Sequence, residues 1–166
     1  MDAVVTAGGI PQPDEPLYAF TQGDSKAMID IAGKPMIQWV LDALSEAKTV
    51  DNVIVTGLSL KSNLKCKKPV HYLPNQGKML DNLIAGINKS LELNPKNKHV
   101  LLVSSDIPAL KAEMVDWLKS GCPMETVQSA SNMELRNRRI PWQLVLVLMG
   151  MQAVMSGWTP RTSGGY

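Results

Sequence analysis

The sequence predicts an α/β fold built on a mainly parallel sheet covered by helices on both faces. Three observations carry it: short apolar runs that stop at glycine or a polar turn, amphipathic helical segments between them, and the alternation of the two through the first 119 residues. Ala3-Val4-Val5-Thr6-Ala7 is the first such run and ends in Gly8-Gly9, as a buried strand does when it passes into a tight loop. The next 24 residues include Pro11, Pro13, Pro16, Gly23 and Gly33, so they read as a long loop with a short extended piece at Met28 to Ile31. From Pro35, residues Met36, Ile37, Val40, Leu41 and Leu44 fall on one face of a helix, with proline where a first turn tolerates it. Asn52-Val53-Ile54-Val55-Thr56 before Gly57 is a second strand, and Val70-His71-Tyr72-Leu73, running into Pro74-Asn75-Gln76-Gly77, is a weaker third. Leu80, Leu83, Ile84, Ile87 and Leu91 mark the next helix. His99 to Ser104 is the most strand-like run of all; it ends at Ser105-Asp106-Ile107-Pro108 and precedes a helix from Lys111 to Lys119.

With 166 residues, 45% of them hydrophobic, the chain can bury the core such a sheet needs, which excludes disorder for its bulk. A formal charge of +2 is too balanced for an electrostatic nucleic-acid binder. Cys66 and Cys122 are too few and too far apart for a disulfide framework or a zinc site. The opening Met1-Asp2-Ala3-Val4-Val5 lacks the basic and long apolar regions of a secretory signal, so a cytoplasmic protein is expected. Composition breaks after Lys119: all thirteen lysines lie at or before it, and all four arginines, Arg136, Arg138, Arg139 and Arg161, lie after it. The chain therefore divides into an α/β domain at 1–119 and an atypical segment at 120–166. That segment reads either as a piece with its own role or as the product of a reading-frame shift near Gly121. Its most apolar stretch, Ile140 to Met155, is shorter than the ~20 residues that span a bilayer and contains Pro141, Gln143, Gly150 and Gln152, so no membrane helix is expected.

Ligands of parallel sheets bind beyond the carboxyl ends of the strands. The residues there are Ala7-Gly8-Gly9, Gly57, Asn75-Gln76-Gly77 and Asp106. Gly8 and Gly9, without side chains, let backbone amides approach a phosphate or a base, although a plain turn explains them as well. Asp106 offers a hard oxygen ligand for Mg²⁺ or, equally, a turn or helix-capping carboxylate. Lys26, inside the long loop, is a point charge for phosphates or a surface lysine. The Gln76 amide carries the donor and acceptor that suit a base edge, or it is a turn residue.

Read in order, Val4-Val5-Thr6-Ala7-Gly8-Gly9, then Ser25-Lys26-Ala27-Met28-Ile29-Asp30-Ile31-Ala32-Gly33-Lys34-Pro35-Met36-Ile37, then Asp106-Ile107-Pro108, the sequence resembles the MobA-like and sugar-phosphate nucleotidyltransferase superfamily over residues 1–119. The resemblance implies a Rossmann-like three-layer α/β/α sandwich of the nucleotide-diphospho-sugar transferase type, incomplete at its C-terminal side. It implies transfer of a nucleotidyl group from a nucleoside triphosphate to a small phosphorylated or cofactor-like acceptor, with release of pyrophosphate and Mg²⁺ as cofactor. By the same resemblance Ala7, Gly8 and Gly9 hold the nucleotide, Gln76 and Gly77 contact the base, Lys26 neutralises phosphate charge, and Asp106 binds the metal. Nucleic acid and membranes are not expected partners.

Three features depart from the family pattern. No arginine follows the glycine loop before Arg136, no aspartate follows Asp116, and the chain is shorter than most members. The other reading of the same residues is therefore a catalytically impaired nucleotide-binding or interaction module without the acceptor half. Lower in rank, His71 and His99 lack partners at metal spacing, the cluster Lys61, Lys65, Lys67 and Lys68 reads as a solvated loop, and Arg136, Arg138 and Arg139 lack the aromatic residues that accompany nucleic-acid binding.

Overall fold

The computed structural model describes residues 1–58, 63–97, 99–121 and 145–148. Strand β1 (Asp2–Thr6) pairs in parallel with β4 (Val53–Thr56) on one side and β6 (Val100–Ser104) on the other, with Val4 opposite both Ile54 and Leu102. Strand β5 (Val70–Leu73) flanks β4 and β7 (Val145–Leu148) flanks β6, so the sheet runs β5-β4-β1-β6-β7 and every pair in it is parallel. Mainly parallel pairing was the expectation, and β7 carries the sheet beyond the compositional break.

Side-chain alternation decides which helix covers which face. Ala3, Val5, Val53, Val55, Leu101 and Val103 point one way and bury against Ile37, Val40, Leu41 and Leu44 of helix α2 (Met36–Glu46) and Val115 of α4 (Ala112–Gly121). Val4, Ile54, Val100 and Leu102 point the other way, onto Leu83 and Ile87 of α3 (Met79–Leu93). The crossovers β1-α2-β4 and β5-α3-β6 travel in opposite directions along the sheet, so a single crossover hand puts α2 and α3 on opposite faces. Ile37, Leu41, Leu44, Ile54 and Leu101 are completely buried, and each contributes about 1.5–3 kcal/mol of hydrophobic stabilisation.

The long loop holds more structure than its prolines suggest. It contains a one-turn helix α1 (Tyr18–Thr21) and a 3₁₀ turn at Lys26–Met28, whose capping Ser25 hydroxyl accepts the Ala27 N–H. The extended piece expected at 28–31 is β2 (Asp30–Ile31), paired antiparallel with β3 (Lys34–Pro35) across Ala32-Gly33. Both turn residues have positive φ, 54° and 87°, the geometry that matches the twist of a two-residue hairpin. The hairpin is fastened to α2: Trp39 Nε1 donates to the Ile31 carbonyl at 2.9 Å, and Lys34 lies 3.6 Å from the Trp39 ring centroid and pairs with Asp42. Pro35 stands at the N-cap of α2, one position before the first turn where it was expected.

At the amino end of the sheet, the fully buried Asp2 carboxylate accepts from Asn52 Nδ2 at 2.8 Å, Ser90 Oγ at 2.7 Å and Asn97 Nδ2 at 2.9 Å. Lys68, read in sequence as part of a solvated basic loop, instead donates to the carbonyls of Ala47 and Val50 just past the end of α2. Asp116 on α4 accepts the N–H groups of Lys48 and Thr49 and the Thr49 hydroxyl, tying α4 to the loop after α2. Cys122, Lys61, the four arginines and most of the 140–155 stretch lie outside the described residues. Among those described, no helix is long and apolar enough to cross a membrane.

Two outcomes follow from this packing. A Cβ at Gly86 on α3 would lie 2.3 Å from Val4 Cγ1, so Gly86→Ala should lower stability by about 1–3 kcal/mol in urea unfolding even though alanine is the better helix former. Burial pushes the Asp116 carboxyl up, but hydrogen bonds from Thr49 and Lys48 and the Lys48 charge outweigh it and hold it below the ordinary 3.8. Its stabilisation is therefore complete above that value and lost as pH falls through the depressed folded-state pKa, so Asp116→Asn should show a smaller acid-induced fall in melting temperature than the parent chain.

Candidate functional site

Strand order reverses between β1 and β6: the chain leaves β1 toward β4 and β5, then returns across the sheet to β6. In open parallel sheets such a reversal opens a crevice beyond the carboxyl ends. Ala7, Gly8 and Gly9 leave β1 at that point, and all three of their carbonyls are occupied. Ser25 Oγ donates to Ala7 O at 2.5 Å, Asn75 Nδ2 to Gly8 O at 3.0 Å, and the Lys26 N–H to Gly9 O at 2.9 Å. In a trans peptide the N–H points opposite the C=O. With no cis peptide among the described residues, the N–H groups of Gly8, Gly9 and Ile10 are turned away from those partners.

The turn at Ser25-Lys26 is fixed by the bonds that hold the glycine loop, and this delivers the lysine side chain to the crevice. A Cβ on Gly9 would meet Lys26 Cε at 2.9 Å, so glycine is what lets the lysine stem cross there. Lys26 Nζ reaches Asp106 Oδ2 at 3.3 Å, although the two residues are 80 positions apart. The Ser104 hydroxyl donates to the other Asp106 oxygen. Partial burial pushes the Asp106 carboxyl up, but the Ser104 hydrogen bond and the charge and hydrogen bond of Lys26 outweigh it and hold it below the usual carboxylate range. Both side chains remain more than a third exposed, 39% for Lys26 and 36% for Asp106.

The loop after β5 reaches the same place by passing over the end of β4. Gly57 closes β4 at φ 95°, and a Cβ on it would lie 2.3 Å from Gly8 Cα; only glycine permits this approach. Asn75 spans the gap. Its Nδ2 holds Gly8 O, while its Oδ1 accepts the Gly77 N–H at 2.9 Å and Asn82 Nδ2 at 3.0 Å. The buried Asn82 in turn accepts the Gln76 N–H at 2.9 Å. In sequence Asn75 was placed at the strand end without a role and Asn82 was not singled out; the signal available was an asparagine placed to form an Asx turn ahead of Gly77, with a second asparagine seven positions on. Of the predicted pair, Gly77 sits in the left-handed region at φ 86° and Gln76 turns its amide back to Pro74 O at 2.8 Å. Ala7 is a core residue, 2% exposed, whose part in the site is its carbonyl.

His71 lies on edge strand β5 opposite Ile54, and His99 directly precedes β6. Among the described residues no group of three or more His, Cys, Asp or Glu side chains gathers as a metal cage. Asp106 instead presents one carboxylate beside one hydroxyl. That donor set suits a Mg²⁺ ion carried on phosphates, which takes one or two protein carboxylates and completes its shell with phosphate oxygens and water. The Asn75 bridge is open to direct test: Asn75→Ala, which leaves the buried Asn82 amide and Gly8 O without their partner, should cost about 1–3 kcal/mol in urea unfolding.

Comparison with known proteins agrees with this geometry. The profile of the MobA-like NTP transferase domain matches residues 3–141. A solved structure described as a hypothetical transferase from Thermus thermophilus superposes with a TM-score of 0.55 at 28% identity, over 84% of this chain and 55% of that one. The chain thus spans little more than half the length of that structure. No curated protein matches. A parallel α/β sheet with a glycine loop, a lysine and an aspartate converging at its carboxyl end, together with a profile match over most of the sequence, places the chain in the MobA-like NTP transferase family.

Proposed function

We propose that the chain is the nucleotide-binding part of a nucleotidyltransferase that moves a nucleotidyl group from a nucleoside triphosphate to a small phosphorylated or cofactor-like acceptor. The observation that carries this reading is the meeting of Lys26 and Asp106 at 3.3 Å beside Gly9, from loops after two adjacent strands. The carbonyls of Ala7, Gly8 and Gly9 are engaged with protein, and the N–H groups of Gly9 and Ile10, on the other side of their peptides, would meet phosphate oxygens. The Lys26 ammonium neutralises phosphate charge. By the same reading Gln76 and Gly77, held to the glycine loop through Asn75, would contact the base. In the reaction an acceptor oxygen forms a bond to the α-phosphorus, the bond from that phosphorus to the bridging oxygen breaks, and pyrophosphate leaves with the electron pair. Such chemistry asks the protein for positioning and charge stabilisation, with no covalent nucleophile. Mg²⁺, when bound with the nucleotide, would sit at Asp106 and supply Lewis-acid stabilisation of the phosphate charge.

The second reading, a module that binds nucleotide without turning it over, is favoured by two observations. The loop after Gly9 has no arginine, and among the described residues no group of three or more His, Cys, Asp or Glu side chains gathers around Asp106. Thermal unfolding against ATP, GTP, CTP and UTP with Mg²⁺ tests what the two readings share, since a ligand at ~100 times its Kd stabilises by about 2.7 kcal/mol. One triphosphate should raise the melting temperature, and Asp106→Ala should remove the Mg²⁺-dependent part of the rise. If none of the four moves the transition, both readings fail. Pyrophosphate release in the presence of phosphorylated acceptors then separates transferase from module.

A further inference from the structure

We propose that Asn75 is a positioning residue that ties recognition of the base to the grip on the triphosphate, by setting which way the Gly8–Gly9 peptide faces. The inference rests on the nucleotide-binding reading above and concerns how the two halves of that site act as one. Asn75 works through the backbone it holds and not through contact with the nucleotide.

A peptide flanked by glycine on both sides turns with little steric resistance. Turned one way, the Gly8–Gly9 peptide presents the Gly9 N–H to a phosphate oxygen; turned the other way, it presents the Gly8 carbonyl, which repels that oxygen. Asn75 Nδ2 donates to the Gly8 carbonyl at 3.0 Å and so keeps the N–H on the opposite side. The missing side chain of Gly8 makes room for this bond, because a Cβ there would lie 3.0 Å from Cγ, Oδ1 and Nδ2 of Asn75. The direction of the amide is set by its other partners. Its Oδ1 accepts the Gly77 N–H at 2.9 Å and Asn82 Nδ2 at 3.0 Å, two donors that an amide NH₂ in the same place could not satisfy. Asn82, 5% exposed in the first turn of α3, gives its own Oδ1 to the Gln76 N–H at 2.9 Å. Two side-chain amides thus hold the Gln76 and Gly77 backbone together with the peptide at Gly8–Gly9. A base that fits Gln76 and Gly77 stiffens that unit, and a triphosphate gains a firmly oriented N–H; a base that does not fit leaves the peptide less well held.

The test is calorimetric binding of ATP, GTP, CTP and UTP, and of inorganic tripolyphosphate as a probe without a base, all with Mg²⁺. The proteins are the full parent chain, Asn75→Ser and Gly8→Ala. Serine can still accept the Gly77 N–H but is too short to hold Gly8 O. Gly8→Ala keeps both asparagines and every charge, and its Cβ crowds the Asn75 amide off the loop; the φ of Gly8 lies outside the left-handed region, so alanine meets no backbone strain there. A cooperative melting transition without ligand verifies that each variant folds, and Gly8→Ala carries the test where Asn75→Ser does not. The parent should prefer one triphosphate over the weakest of the four by at least about tenfold, which corresponds to about 1.4 kcal/mol. Each folded variant should lose about tenfold or more in affinity for tripolyphosphate and for the preferred nucleotide, and its preference among the four should fall toward one. A folded variant that keeps its affinities, or that loses base preference without losing tripolyphosphate or the reverse, overturns the proposal. A parent that binds nucleotide without distinguishing the bases, or without binding tripolyphosphate, also overturns it and leaves nucleotide binding standing. Failure of all four nucleotides to bind the parent overturns the nucleotide-binding reading, and the role of Asn75 with it.

Discussion

Parallel pairing of β1 between β4 and β6 is the constraint from which the rest of the molecule follows. A strand with neighbours on both edges and helices on both faces buries its middle side chains among apolar groups, and β1 accordingly carries Ala3, Val4 and Val5 with no solvent exposure. Parallel neighbours also bring their carboxyl ends to one level about 4.8 Å apart, so whatever follows β1, β4 and β6 is forced into one neighbourhood. The glycine loop, Gly57 and Asp106 meet for that reason, and the chain between them only has to be long enough to return.

The two ends of the sheet are treated differently. At the amino end, the buried Asp2 carboxylate is saturated by Asn52, Ser90 and Asn97, and Asp116 and Lys68 fasten the loop after α2. Those bonds tie the loop after α2 to β1, α4 and the segment before β5. At the carboxyl end, backbone is pressed against backbone at Gly8 and Gly57, and the polar side chains that remain, Lys26 and Asp106, are partly exposed and paired across the crevice. Rigidity underneath fixes where the groups above stand.

The Gly33-Lys34-Pro35 segment shows how one sequence signature divides between site and scaffold. Lys26 and Lys34 sit in the same continuous motif, yet Lys26 enters the crevice while Lys34 is committed to Trp39 and Asp42 on α2. The hairpin turn lies between them, and its two left-handed residues redirect the chain. Charge type alone does not distinguish these lysines; their positions relative to that turn do.

Strands β1, β4, β5 and β6, helices α2, α3 and α4, and the parallel character of the sheet were legible because each rests on local hydrophobic periodicity, which burial on one or both faces imposes on neighbouring residues. The candidate residues at the strand ends were legible for the same reason: once strands are assigned, their carboxyl ends are known. The one-turn helix in the long loop, the hairpin at Asp30–Pro35 and the Asn75–Asn82 bridge were not, since few-residue elements have no period and a side-chain amide declares its partner only in three dimensions. Nor did the sequence say that Lys26 pairs with Asp106. By itself the sequence determined which segments are buried and where their ends fall; the tertiary structure alone decided which ends meet, because strand order is set by long-range pairing and crossover geometry that no local pattern encodes.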